Sequence, residues 1–416
     1  MPGKRYIVRF KDLDTKFNTV AEVFKRDLQY VEEAEKSLSV NPSDTTVHHF
    51  TKAAVSVLQM EDNEASDIQS LPEVDDVMED FTIQGHLDVD PEQTESRPRS
   101  EDDFVTTPTG QKIPKNIQTV GADQVWPLST GQGIKVAVLD TGIYLAHPDL
   151  TVQGGVSFVD GIDSWDDNGL KGHGTHCAGI IGAHNNQLGV VGVAPDCLLY
   201  SVKILDQHQK GCFSSLLAGL GWAADKKMDV VSISARWTDQ QIQEAGEECR
   251  EIKFLQRHLK ELEDNNCIVV AASGNSKKTE KIVYEPALAE TVLAVGATGK
   301  DQQGQQFPYH SQEKPKRADF SCWQPGNIVD LCAPGVDIYS TWNKSRADTY
   351  GHKTGTSESC PHVAGAAALL KKLHPDWTAL QTRRALTRSA FDIGASDFDD
   401  KTGYGLLDCL SAANYA

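Results

Sequence analysis

Five apolar segments recur in the later two thirds of this chain, and helical patterns separate several of them. They are nearly continuous in Val, Ile, Leu and Ala, which is typical of parallel strands buried on both faces of a sheet. The predicted strands are 134–140, 198–205, 228–234, 267–273 and 291–297. The predicted helices are 175–183, 214–227, 239–265, 357–373 and 378–389. This alternation predicts an α/β domain with a parallel sheet between two helical layers, over 111–416.

The first 84 residues carry a different pattern. Strands are predicted at 5–10, within 46–59 and at 74–84, and helices at 18–38 and 63–71. The order βαββαβ favours a small ferredoxin-like α+β domain. Residues 85–110 are rich in Asp, Glu, Pro, Ser and Thr and poor in apolar residues, so they predict a flexible acidic linker.

Charge and composition exclude some classes of partner. The 416 residues carry a net charge of -19, which argues against nucleic acid because phosphate binding needs basic patches. Residues 1–109 hold 24 acidic and 11 basic residues, so the two parts differ in charge as well as in pattern. No apolar run approaches the roughly 20 residues of a membrane span, and the start, MPGKRYIVRF, has no apolar signal region.

The nine cysteines all follow residue 109, and none forms a CxxC pair. A zinc ribbon or a thioredoxin-type motif is therefore disfavoured. A reduced interior and a secreted protein with some disulfides fit the cysteine count about equally well. The sequence leaves both the disulfide pairing and the compartment open.

Four polar residues stand where predicted strands end or predicted helices begin. Asp140 ends a strand, His173 opens HGTHCAG, Asn275 ends AASGN, and Ser357 lies in GTSESCPHVAG. Open α/β sheets place their sites at this edge. Each residue alone also fits a turn, a loop or a helix cap. Together they supply an acid, a base, an oxyanion donor and a nucleophile, in the order Asp…His…Ser.

The same motifs also fit two other kinds of site, an aspartic-protease site and a metal site. The triplet Asp-Thr-Gly at Asp140 is similar to that of aspartic proteases, but the chain has no second such triplet. His173 and His176 could bind a metal, but no third ligand follows at a zinc-like spacing.

The blocks DTGI, HGTHCAG, ASGN and GTSESCPHVAG resemble the signature blocks of the subtilisin-like serine proteases. The resemblance covers about 113–416, and residues 4–84 resemble, less specifically, the propeptide of that family. It implies a serine endopeptidase that cleaves proteins or peptides through an acyl-enzyme. Ser357 is then the nucleophile, His173 the general base and Asp140 its partner, while Asn275 and the Ser357 backbone N–H hold the oxyanion.

The resemblance also implies a zymogen. The 1–84 domain is expected to act as an intramolecular chaperone and inhibitor of the 111–416 peptidase domain. Self-cleavage is expected within 85–110, near His86 or near Thr109, and two successive cuts would satisfy both. The enzyme is expected to be a monomer.

The substrate cleft implied by the resemblance departs from the family at several positions. Its implied residues are Ser234, Ala235, Arg236, Ala272, Ser273 and Gly274. Arg236 and Trp237 replace family glycines, so either the cleft is narrowed or Arg236 selects an acidic residue. Tyr284 is expected on the floor of the first specificity pocket, where a phenol favours small side chains. Glu358 replaces the usual Met after the nucleophile and is expected near His173.

A calcium site also follows from the resemblance. Its expected ligands are the side chains of Gln111, Asp149 and Asn186 and the carbonyls of His184, Leu188 and Val190. An all-oxygen set of this kind suits Ca²⁺.

Two other functions remain open on the sequence alone: a catalytically silent binding protein, and a peptide ligase that uses the same acyl-enzyme. Family habit favours secretion, but the start of the chain shows no signal, which fits an intracellular form and a shortened chain equally, so no compartment is predicted.

Overall fold

The computed structural model describes residues 4–11, 48–50, 55–85, 104–108, 110–169, 171–237, 249–276, 282–300, 306–326, 328–343 and 349–415. The predicted helix 18–38 lies outside the described residues, as do 86–103 and 238–248. Among the described helices, none is both long enough and apolar enough to cross a membrane.

The first 85 residues form a small antiparallel sheet. Its elements and the strand that follows are β1 (Lys4–Phe10), β2 (His48–Phe50), β3 (Val55–Met60), α1 (Asp62–Gln69), β4 (Val74–Glu79) and β5 (Thr82–Gly85). The strand order is β2-β3-β1-β4. Alternation along β1 turns Tyr6, Val8 and Phe10 toward α1, whereas Ile7 joins a core shared with the rest of the chain.

The prediction of a single strand over 74–84 is wrong. The chain leaves the first sheet after Glu79, and β5 pairs elsewhere. Asp80 occupies the break, where its buried carboxylate accepts hydrogen bonds from Arg5 Nε at 2.6 Å and Ser214 Oγ at 2.6 Å. The backbone N–H of Asp80 still donates to the carbonyl oxygen of Arg5 at 2.8 Å. Beyond this bond the chain leaves the first sheet, because Phe81 stacks on Phe213 and Ile83 is buried in the core that contains α5.

Part of the predicted linker is also structured. The elements here are β6 (Phe104–Thr106), β7 (Lys112–Pro114), α2 (Lys115–Thr119) and α3 (Ala122–Val125). Strands β6 and β7 pair antiparallel, and Phe104 is buried edge-on against Tyr339 at 5.2 Å between ring centroids. The expectation of a flexible linker is therefore wrong for 104–106, because one buried aromatic side chain outweighs a polar composition.

The rest of the chain is built around a seven-stranded parallel sheet. Its strands and the accompanying short strands are β8 (Lys135–Asp140), β9 (Val152–Ser157), β10 (Leu198–Lys203), β11 (Lys210–Cys212), β12 (Val230–Ile233), β13 (Ala235–Trp237), β14 (Ile268–Ala272), β15 (Val292–Thr298), β16 (Leu331–Pro334), β17 (Ile338–Thr341) and β18 (Tyr350–Lys353). The sheet order is β16-β15-β14-β12-β8-β10-β9. All five predicted strands are present; β9 and β16 were not predicted.

Helices cover both faces of this sheet. They are α4 (His173–Gly182), α5 (Phe213–Asp225), α6 (Arg250–Asp264), α7 (Thr356–Leu373), α8 (Ala379–Arg388) and α9 (Cys409–Ala413). Val136 and Val138 of β8 face the core that contains α4 and α7, whereas Ala137 and Leu139 face α5 and α6. The predicted α/β architecture of three layers is confirmed. The nine cysteines all lie in described segments, where each is a free thiol.

A second, three-stranded sheet joins the two parts of the chain. Strand β5 lies between β11 and β13 and is antiparallel to both. Gly85 is opposite Ala235, and Ile83 is opposite both Trp237 and Gly211. The end of the N-terminal segment is thereby held as an added strand next to the carboxyl edge of the parallel sheet.

Candidate active site

Asp140 and His173 form a buried hydrogen-bonded pair. Asp140 ends β8 and His173 begins α4, and His173 Nδ1 lies 2.8 and 2.9 Å from the two carboxylate oxygens of Asp140. Gly174 permits this approach, since a Cβ there would lie 2.2 Å from the carbonyl oxygen of Gly142. The pair fixes the ring so that Nε2 faces away from Asp140.

The charge around His173 favours its protonated form. Burial by itself lowers the pKa of His173, but the charge and hydrogen bond of Asp140, with a smaller contribution from the charge of Glu358, raise that pKa to about 9. Glu358 is 1% exposed and directly follows Ser357. The expectation that Glu358 lies close enough to act on His173 agrees with this geometry.

Ser357 lies in the first turn of α7. Its carbonyl oxygen accepts weak contacts from Cys177 Sγ and Ser234 Oγ, each at 3.4 Å, which tie the start of α7 to α4 and to the cleft. Among the described residues, Ser357 Oγ and His173 Nε2 have no hydrogen-bond partner although both are buried. The two atoms therefore do not form the hydrogen bond that joins a nucleophile to its base, a contact that is often long without substrate and tightens in the substrate complex.

The side chain of Asn275 is oriented by hydrogen bonds to its amide oxygen. Its Oδ1 accepts hydrogen bonds from Thr356 N and Thr356 Oγ1, both at 2.9 Å. The amide nitrogen is then turned toward Gly355, where a Cβ would lie 2.9 Å from Asn275 Nδ2 and also 2.9 Å from Glu358 Oε2. A donor held in this way, next to the residue before the first turn of α7, is suited to stabilise an oxyanion.

The predicted cleft residues lie on two neighbouring segments. Ser234, Ala235 and Arg236 follow β12, while Ala272 ends β14 and Ser273 and Gly274 follow it. Tyr284 fills the space beside them: a Cβ on Gly274 would lie 2.4 Å from its ring.

Arg236 lies against the ring of Tyr284. Its guanidinium is 4.4 Å from the ring centroid, and the residue is only 7% exposed. This geometry favours the narrowed cleft over the alternative in which Arg236 selects an acidic substrate residue.

The two histidines of HGTHCAG face different partners. His176 Nε2 lies 3.0 Å from the carbonyl oxygen of Ile338 and 3.2 Å from that of Gly351, while its Nδ1 lies 3.6 Å from Glu358 Oε1. His173 is paired with Asp140 instead. The geometry therefore gives no support to a metal held by both histidines.

The residues expected to bind calcium converge around Asp149. Val190 N donates to Asp149 Oδ2 at 2.9 Å, Leu188 N donates to Asn186 Oδ1 at 2.9 Å, and Gln111 is buried beside Leu188. Asp149 Oδ1 is buried without a hydrogen-bond partner among the described residues, and burial raises the pKa of Asp149 to about 6. A buried carboxylate oxygen left in this state fits a cation ligand.

Sequence reasoning missed one wall of the cleft. Strand β11 and Gln209, the residue before it, contact β5 from the side opposite β13. The segment 206–212 has no apolar alternation or signature residue, so only the pairing with β5 identifies it.

Comparisons with known proteins agree with this geometry. Residues 131–405 match the model of the subtilase family, peptidase family S8. An alkaline protease of Alkalihalobacillus alcalophilus is 39% identical over 313 residues, covering 75% of this chain and 73% of that protein. Subtilisin BL of Lederbergia lenta is 39% identical over 303 residues, covering 73% and 99%. Subtilisin E of Bacillus subtilis is 37% identical over 317 residues, covering 75% and 74%.

A solved structure shares the fold. Fervidolysin from Fervidobacterium pennivorans, described as a keratinolytic enzyme related to subtilisin, superposes with a TM-score of 0.72 at 22% identity. The match covers 100% of this chain and 61% of the fervidolysin chain.

Proposed function

We propose that this chain, which belongs to the subtilase family and is a serine endopeptidase, is made as a zymogen that cleaves its own polypeptide. The observation that carries the proposal is the position of β5, which is paired between β11 and β13; β13 directly follows Ser234, whose Oγ is 3.4 Å from the carbonyl oxygen of Ser357. A peptide substrate recognised by strand addition would occupy the same place. The N-terminal segment thus acts both as first substrate and as inhibitor.

The proposed roles of the site residues follow from their contacts. Ser357 Oγ attacks the scissile carbonyl, and His173 Nε2 takes its proton and later gives it to the leaving amine. Asp140 holds the imidazole in the tautomer that leaves Nε2 free and stabilises the imidazolium that forms. Asn275 Nδ2 and the Ser357 backbone N–H stabilise the negative oxygen of the tetrahedral intermediate.

The contacts of residues 80–83 support the proposed inhibitory role. Ile83 is fully buried in the joint sheet, and the ring of Phe81 stacks on Phe213 at 4.6 Å between centroids. Asp80 accepts hydrogen bonds from Ser214 N at 3.0 Å and Ser214 Oγ at 2.6 Å, at the N-terminus of α5. A carboxylate there is favoured by the free N–H groups and the helix dipole.

The register of β5 supports a cut after His86. Gly85, the last residue of β5, is opposite Ala235, and Ala235 directly follows Ser234, whose Oγ is 3.4 Å from the carbonyl oxygen of Ser357. A cut near Thr109 would instead remove β6 and its buried Phe104. We therefore assign self-cleavage to the bond that follows His86, which leaves the β6–β7 hairpin on the peptidase domain.

Mass spectrometry of the purified protein tests this proposal. The wild-type chain is expected to give two fragments divided after His86 that stay associated, whereas Ser357→Ala is expected to stay at 45.5 kDa. Wild-type protein that cleaves peptides while remaining at full length would overturn the zymogen proposal. Cleavage of the Ser357→Ala chain in the same preparation would assign the cut to another protease.

We also propose that the site around Asp149 binds calcium. Its donor set is all oxygen, and the unpartnered Asp149 Oδ1 gives a buried charge that a hard cation would neutralise. Gln111, Asp149 and Asn186 would supply side-chain oxygens, and His184, Leu188 and Val190 would supply carbonyls. The ion would contribute stability rather than chemistry, since its ligands are distinct from Asp140, His173 and Ser357.

A further inference from the structure

Gln209 lies in a tight turn before β11 and has an unusual backbone conformation. Its φ is 63°, in the left-handed region that a side chain other than glycine seldom adopts. Asp206 holds the turn, because its carboxylate accepts from His208 N at 2.8 Å and Lys210 N at 2.9 Å. The carbonyl of Asp206 also accepts from Gln209 N at 3.0 Å. An unfavourable backbone conformation that surrounding hydrogen bonds hold in place is often found at functional positions.

This turn places Gln209 directly against Gly85. Gly85 N donates to the carbonyl of Gln209 at 2.8 Å. A Cβ on Gly85 would lie 3.2 Å from Gln209 Cβ and 3.5 Å from its Cδ and Oε1. Ordinary carbon–carbon contacts are about 3.5–4.0 Å. Because Cβ moves only with the backbone, rotation of the Gln209 side chain cannot relieve the closest contact.

The side-chain amide of Gln209 is buried beside β5. Gln209 is 2% exposed, and neither Oε1 nor Nε2 has a hydrogen-bond partner in the described parts of the chain. Leaving a buried amide unpaired is unfavourable, and it is seldom retained without a compensating role. The position facing β5 suggests that this role lies in what the cleft accepts.

Gly85 is the second residue before the proposed scissile bond. This follows from the proposed cut after His86, and Gly85 itself pairs with Ala235, the residue that follows Ser234. The residue at this second position therefore meets Gln209 in any peptide that binds as β5 does.

We propose that Gln209 restricts the second position before the scissile bond to glycine, in substrates as well as in the self-cleavage site. The inference rests on the proposed function, since it takes β5 as the pattern for substrates. A larger side chain at this position would have to displace Gln209, whose backbone is held by the turn at Asp206, and such overpacking is unfavourable. Gln209 is thus a specificity-determining residue on the wall of the cleft that carries no signature motif.

Peptides that differ only at this position test the proposal. We would measure kcat/KM for Ile-Gln-X-His substrates with X as Gly, Ala, Val or Asn. Wild-type enzyme is expected to prefer Gly over Val by at least about tenfold, with Ala between them. Gln209→Gly, which suits the left-handed backbone, should remove most of that preference, and Gln207→Ala, an exposed neighbour, should retain it.

Two results with these peptides would overturn the inference. Equal kcat/KM values for Gly and Val in the wild type would mean that Gln209 does not limit the position. A preference for Asn over Gly would mean that the buried amide binds a substrate side chain instead of excluding one.

Self-processing gives a second readout in the full chain. Gly85→Val should slow the cut, and adding Gln209→Gly should restore it, while Gln84→Val, whose side chain lies on the other face of β5, should process normally. A wild type that stays at full length but prefers glycine peptides would end the zymogen proposal and keep this inference. A wild type that cleaves itself but cleaves all four peptides equally would support the zymogen proposal and overturn this inference.

Discussion

At the residue scale, two buried carboxylates act on one imidazole. Asp140 bonds directly to His173, and Glu358 acts on it through charge alone. Both favour imidazolium, yet only the neutral ring can accept the proton of Ser357. We therefore expect Glu358, the residue after the nucleophile, to influence the pH range over which the enzyme is active.

Replacing Glu358 by Met or Gln should move activity to lower pH. Removal of the charge lowers the pKa of His173, so the neutral base is present at lower pH, and the acidic limb of the kcat/KM profile should shift toward acid. Glu313→Gln, a change at an exposed position, is the control. Acidic limbs that coincide in wild type and Glu358→Gln would show that Glu358 does not tune His173.

Removing the proposed oxyanion donor should lower turnover. Asn275→Ala is expected to reduce kcat by about a hundred- to a thousandfold with little change in KM, the size of effect known for the equivalent donor in subtilisin. The reason is that the donor acts on charge that develops only in the transition state. Asn265→Ala, exposed at the end of α6, should leave both constants unchanged. A rise in KM at constant kcat would contradict this role for Asn275.

At the scale of elements, the two parts of the chain are joined through the start of one helix. Helix α5 offers the N–H and hydroxyl of Ser214 to Asp80, and Arg5 bridges Asp80 and Asp160. Strand β5 follows directly and enters the joint sheet. The hydrogen bonds of Asp80 to the N-terminus of α5, which cap this helix, and the pairing of β5 together hold the N-terminal segment across the cleft.

Loss of the Asp80 cap should weaken this attachment. In the unprocessed Ser357→Ala background, Asp80→Ala is expected to destabilise the chain by about 1–2 kcal/mol, the range for loss of a good helix cap. Thermal and denaturant unfolding would measure it. A double-mutant cycle with Ser214→Ala should give a coupling energy well above zero, and Asp67→Ala, exposed on α1, is the control. Additive effects of Asp80→Ala and Ser214→Ala would mean that the hydroxyl of Ser214 adds nothing to the interaction, and an unchanged stability of Asp80→Ala would contradict the attachment as a whole.

At the scale of the whole molecule, one hydrophobic core belongs to both parts. Ile7, Val57 and Met78 of the small sheet are buried in the same cluster as α5 and α6. The other core, around α4 and α7, belongs to the peptidase domain and its N-terminal hairpin. The loop that carries Asn186 borders this second core through Val190, so order in the loop and stability of the domain should be linked.

Calcium removal should therefore lower the melting temperature. A ligand that binds only the folded state stabilises it by mass action, and excess chelator removes that contribution. The measurement belongs in the Ser357→Ala chain, where self-digestion cannot confuse the result. Asp149→Ala should abolish most of the response to chelator, and Asp196→Ala, an exposed carboxylate nearby, should keep it. A melting temperature that chelator does not change would refute the site.

The sequence alone predicted the architecture of the later part of the chain and five of the seven strands of its parallel sheet. The apolar segment ending in Asp140, the glycines around His173 and the helix after Ser357 depend on backbone sterics and periodicity, which short stretches encode. The roles of the four site residues stay predictions. The end of the strand at Asp80 could not be predicted, because the local pattern continues through this residue. The hydrogen-bond partners of Asp80, Arg5 and Ser214, lie 75 and 134 residues away in sequence.

Only the tertiary structure shows which residues shape the cleft. The Arg236 guanidinium lies 4.4 Å from the centroid of the Tyr284 ring, and a Cβ on Gly85 would lie 3.2 Å from Gln209 Cβ, although these residues are far apart in sequence. The residues next to each of these in sequence do not predict such a contact, because side-chain packing depends on segments that become neighbours only in the folded protein. The reaction can be inferred from motifs; its selectivity depends on distances between segments that no motif contains.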